Sequence, residues 1–159
     1  MRGACYEGSM AIPVPFVSVQ RVYFDDLDAL NILHNMRYLL FIERARGELF
    51  NAMGFHWQDD LTRNPDRFHV VAEHAIKYLA PVRGEGDLSI VLRVAHLGRT
   101  SLTISARVQS PDGGIRFAEG STRLVRLDPA TFRPAPWSDP FRAVVGPLVI
   151  RVDTPTPPT

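Results

Sequence analysis

Between Asn35 and Met53 the chain places apolar side chains at Tyr38, Leu39, Ile42, Ala45, Leu49 and Met53, the spacing of one helix face. No other segment of the 159 residues repeats that period with comparable strength. Asn35 is the expected N-cap and Gly54 the expected C-terminal stop. At about 1.5 Å per residue such a helix is a rod of roughly 28 Å, long enough to cross a small sheet. A lone amphipathic helix has to bury its stripe against something, and the rest of the chain offers strands.

Those strands read clearly. Leu88, Ile90, Leu92 and Val94 alternate along LSIVLRV, and Leu102, Ile104, Ala106 and Val108 along SLTISARV. FVSVQRVYF at 16–24 is a further strand, as is FHVVAEHAIKYL up to Pro81, while IRFAEGSTRLVRL follows the turn SPDGG. The expected order is strand, helix, then four strands in an antiparallel meander, an α+β fold with a five-stranded sheet around one long helix. The uncovered sheet face and edges predict self-association of subunits.

Beyond Asp128 proline becomes frequent, so 129–147 is expected as a loosely packed arm of a single domain spanning 10–151. The ends, 1–9 and 152–159, are expected to lack order.

Several classes of function are disfavoured. The formal charge of +1, with scattered Lys and Arg, builds no field for nucleic acid. No apolar run reaches the length of a membrane span or signal peptide, and Cys5 is the single cysteine, which together predict a cytoplasmic protein. No G-x-S-x-G elbow, G-x-G-x-x-G turn or P-loop is present, and no histidine pair has metal-ligand spacing.

The loop DDLDALNILH at 25–34 feeds the helix N-terminus. Backbone N–H groups there lack internal partners and the helix dipole is positive, so a nearby carboxylate sits beside ready-made donors. Acyl transfer needs that pairing: donors for the oxyanion, and an acid residue to attack the acyl carbon or deprotonate water.

The stretch VYFDDLDALNILHNMRYLLFIERAR at 22–46 resembles the signature of the 4-hydroxybenzoyl-CoA thioesterase-like proteins. A looser likeness runs through IKYLAPVRGEGDLSIVLRV and LGRTSLTISARV to about residue 127. The resemblance implies a hot-dog fold paired into dimers or tetramers and hydrolysis of an acyl-CoA thioester. Acyl carrier protein is the alternative carrier, water the co-substrate, and no metal or other cofactor is required. It makes Asp28 the catalytic carboxylate, puts the oxyanion donor near Asn35, brings His34 into the catalytic set, and assigns Arg99, Thr100 and Ser101 to the CoA side. The chain departs from many relatives in reading Ala29-Leu30-Asn31 where they carry a glycine.

Other residues have plainer readings. Tyr38 is core or acyl-pocket wall, Asp26 orders the loop, and Glu43 pairs with Arg46 or Arg44. His74 shares parity with Phe68, Val70, Ile76 and Tyr78 and is expected in the core. Two rival functions follow from the same fold: an acyl-thioester binder without turnover, and a dehydratase acting on hydroxyacyl thioesters.

Overall fold

A computed structural model describes residues 11–150 of the protein. The terminal stretches expected to lack order, and Cys5, lie outside the described residues. One antiparallel sheet contains β1 (Phe16–Val22), β2 (His69–Tyr78), β3 (Gly86–Leu97), β4 (Ser101–Gln109) and β5 (Arg116–Arg126). The long helix α1 runs Asn35–Ala52 and lies on one sheet face.

The alternation seen in the sequence is what makes that face apolar. Ile90, Leu92, Leu102 and Leu124 are at most 2% exposed, and they pack in one cluster with Phe41, Ala45 and Leu49 of α1. Each fully buried side chain of this size contributes roughly 1.5–3 kcal/mol. Polar residues on the covered face of β1 are satisfied: Gln20 Nε2 donates to Ser18 Oγ at 2.7 Å and to Glu48 of α1 at 2.8 Å.

The expected four-strand meander is corrected. Strand order is β1-β3-β4-β5-β2, so only β3, β4 and β5 meander, while β2 pairs with β5 at the far edge and β1 with β3. The link from β2 to β3 is no hairpin but a crossing strap, whose Val82 carbonyl accepts from Leu33 N–H at 2.9 Å beneath the start of α1. Gly120 permits the β2 pairing, because a Cβ there would lie 2.1 Å from the Ala75 carbonyl oxygen.

His74 is a second correction. The register between β2 and β5 shifts between Val71 and Glu73, leaving Ala72 as an extra residue and breaking the parity that grouped His74 with Val70. His74 is exposed at the sheet edge, its Nδ1 3.0 Å from Thr122 Oγ1.

The C-terminal arm is not loose. A second helix, α2 (Asp139–Val145), is capped by Ser138, and Phe141 and Val145 are fully buried. Trp137 stacks on Phe141 at 4.4 Å, and Phe141 meets Phe55 at 4.9 Å. Asp66, 1% exposed, ties the arm down by accepting from Ser138 N–H at 2.9 Å and Ser138 Oγ, with Arg126 Nε 3.3 Å away. Prolines fit here because Pro140 stands in the first turn of α2, where no intrahelical N–H is needed. Among the described residues no helix is long and apolar enough to cross a membrane.

Candidate active site

The loop before α1 is a miniature hairpin. Asp28 N–H donates to the Ile32 carbonyl at 2.8 Å, Leu27 and Leu33 form a bridge, and Gly84 N–H donates to the Asn31 carbonyl at 3.0 Å. Asn31 closes the turn with φ +56°, in the left-handed region. Asparagine tolerates that conformation better than other non-glycine side chains. Asn31→Ala is expected to destabilise the chain by about 1 kcal/mol while Asn31→Gly leaves it nearly unchanged, as read from urea unfolding midpoints. Equal losses in both variants would show that the Asn31 side chain, not its backbone, matters.

Within this turn Asp28 is half-buried. Its Oδ1 accepts from Leu30 N–H at 2.8 Å, with a longer 3.4 Å contact to Ile32 N–H. Oδ2 has no hydrogen bond among the described residues. One oxygen is thus held while the other is available.

The helix start differs from expectation in one respect. His34, not Asn35, is the N-cap: its Nδ1 accepts from Met36 N–H at 3.2 Å, and its carbonyl accepts from Arg37 N–H at 2.8 Å. Asn35 is the first helical residue, and its own N–H has no partner among the described residues.

Asp28 and Asn35 line one cleft of about 370 Å³, together with Tyr38, Tyr78 and the strap residues Leu79–Pro81. Tyr38 and Tyr78 meet edge to face, with centroids 5.1 Å apart. Tyr78 Oη donates to the Asn35 carbonyl at 3.0 Å, so the edge strand holds the first turn of α1. Burial raises the Tyr38 phenol above its ordinary pKa, partly opposed by the Val82 backbone N–H, which keeps the hydroxyl protonated in the cleft wall.

Of the residues singled out in the sequence, Asp28, Asn35 and Tyr38 come together. His34 is an exposed cap outside the cleft lining. Arg99, Thr100 and Ser101 lie in and after the β3–β4 turn, at the end of the sheet where Arg126 of β5 pairs with His69, whereas the cleft is at the Tyr78 end. Within one chain they do not reach Asp28. Glu43 pairs with Arg46, whose Nη1 is 3.2 Å from His69 Nε2. Tyr78 and the strap were missed, although the tyrosine at the end of β2 and the proline after it were the available signals.

Comparison with known proteins adds an independent line. Residues 22–145 match the Thioesterase-like superfamily. The acyl-CoA thioester hydrolase YbgC of Escherichia coli is 30% identical over 114 residues, which cover 72% of this chain and 83% of that protein. The structure of a thioesterase complexed with coenzyme A and Zn from Thermus thermophilus superposes with a TM-score of 0.67 at 30% identity, covering 83% of this chain and 92% of that one. A 1,4-dihydroxy-2-naphthoyl-CoA thioesterase from Synechocystis reaches a TM-score of 0.74 at 15% identity, over 88% of this chain and 98% of that one, a likeness of fold.

Proposed function

Since the chain belongs to the thioesterase-like superfamily and has its hot-dog fold, we propose that it is an acyl-CoA thioester hydrolase of the cytoplasm that uses Asp28 and the Asn35 backbone N–H. One observation carries the reading: Asp28 and Asn35 line the same cleft, and among the described residues neither Asp28 Oδ2 nor the Asn35 N–H has a hydrogen-bond partner. The Asn35 N–H donates to the carbonyl oxygen as negative charge develops on it, assisted by the helix dipole. Asp28 takes a proton from attacking water, or itself attacks the acyl carbon, and the C–S bond breaks to release CoA as thiolate. A thiolate is stable enough to leave without a strong general acid, so the site needs none. His34 serves by fixing the first turn of α1.

A second copy of the chain completes the site in this reading. β2 is an edge strand with Val70, Val71 and Tyr78 exposed. Pairing two such edges antiparallel about a two-fold axis perpendicular to the sheet brings the Tyr78 end of one subunit to the His69 end of the other. The β3–β4 turn of the second copy then comes to the cleft end of the first, so Arg99, Thr100 and Ser101 serve the CoA of the neighbouring site.

Thiol release from acetyl, long-chain and aromatic CoA esters tests the activity. Co-purified acyl thioester without turnover would favour the binder, and release of an enoyl thioester from a hydroxyacyl substrate the dehydratase. Subunit exchange tests the sharing: mixing Asp28→Asn and Arg99→Glu chains is expected to restore turnover at low acyl-CoA concentration. Only mixed dimers hold one intact site, and mixing without recovery would remove Arg99 from it.

A further inference from the structure

The first turn of α1 breaks a rule that most helices keep. It contains no acidic residue, yet Arg37 stands in it, a cation at the positive end of the helix dipole. What offsets this is Asp26, whose side chain is 8% exposed and whose Oδ1 lies 3.3 Å from Arg37 Nε. The other carboxylate oxygen accepts from Tyr23 N–H at 2.9 Å, and Arg37 Nη2 donates to the Asp25 carbonyl at 3.3 Å. Asp26 and Arg37 therefore join the two ends of the segment that carries the reacting groups: Asp28 follows the acid by two residues, and Asn35 precedes the base by two. His34 N–H also donates to the Asp26 carbonyl at 3.0 Å, and the Leu27–Leu33 bridge joins the same two arms further into the loop.

We propose that Asp26 and Arg37 form a positioning clamp that fixes the Asn35 oxyanion donor relative to the Asp28 carboxylate. The clamp rests on the thioesterase reading for its purpose, but its geometry stands apart from it. Neither residue is among those lining the cleft, so each acts through the loop and helix it holds. The guanidinium suits the task because its fork satisfies a carboxylate and a carbonyl at once, which a lysine ammonium on a flexible stem does less rigidly.

The test is Arg37→Met, which keeps an unbranched stem and removes the fork, beside Arg37→Lys and Asp26→Asn. Small displacements of aligned groups cost much in rate, so Arg37→Met is expected to lower kcat on the order of 10-fold to 100-fold. KM should change little, and Arg37→Lys should recover part of the loss. In the Asp28→Asn background the further fall should vanish, because nothing remains to be aligned. Hydrogen exchange of the His34 and Leu30 amides should quicken in Arg37→Met whether or not the protein hydrolyses acyl-CoA. Wild-type protein without hydrolase activity would defeat the thioesterase reading, and exchange alone would then decide the clamp. Unchanged exchange with full kcat overturns it, as does a loss of rate matched by loss of folded protein.

Discussion

Asp28→Asn lowers kcat for acyl-CoA hydrolysis by about 10²–10⁴-fold, the range that one positioned acid–base group supplies. The fold survives the change. An asparagine carbonyl can replace Oδ1 as acceptor for Leu30 N–H, so the turn closed by Asn31 keeps its bonds. The unfolding midpoint should therefore move by less than about 2–4 °C, the shift that 1 kcal/mol produces in a chain of this size. What is lost is charge on the free oxygen, without which neither attack on carbon nor deprotonation of water proceeds. A free-thiol assay with matched thermal melts reads both quantities together, and a variant retaining half its rate would remove Asp28 from the chemistry. In the wild type, a burst of CoA ahead of free acid would identify the covalent route.

Phe141→Ala has the largest expected effect on stability. The ring is fully buried, stacked on Trp137 and in contact with Phe55, and it closes the end of the core where the C-terminal arm returns. Truncating a phenyl group in such a place costs about 3–5 kcal/mol, part transfer energy and part cavity. Urea unfolding followed by tryptophan fluorescence would report it directly, because Trp137 loses its stacking partner. The cleft lined by Asp28 is at the other end of α1, so the variant should keep its kcat under conditions where it is folded. A cost under about 1 kcal/mol would mean that the arm lies on the core without belonging to it.

How much was legible follows from how locally each feature is encoded. α1 showed through its period, and β3 and β4 through strict alternation, because each pattern is written within one element. Asp28 was singled out by its place before the helix together with a resemblance, but the tight turn around it, with Asn31 at φ +56°, was not read from the sequence. The N-cap was misplaced by one residue because His34 caps through a ring nitrogen, which composition rules weight below asparagine. α2 escaped notice among prolines, although Ser138, Pro140, Phe141 and Val145 spell a cap, a first turn and an apolar stripe. The position of β2 at the far edge could not be read from β2 itself. It depends on where the strap of Leu79–Glu85 goes, and a strap has no period.

That strap is at once the route by which the chain changes edges and a wall of the cleft that Asp28 lines. Its backbone is tied at both ends, since Leu79 and Ala80 N–H both donate to the Phe117 carbonyl of β5, at 2.8 and 3.2 Å, and Arg83 bridges Ile32. Side chains exchanged at Leu79–Pro81 would reshape the cleft they line while these backbone bonds and the ladders on either side stay in register. A chain built this way can vary what it cleaves without renegotiating how it folds.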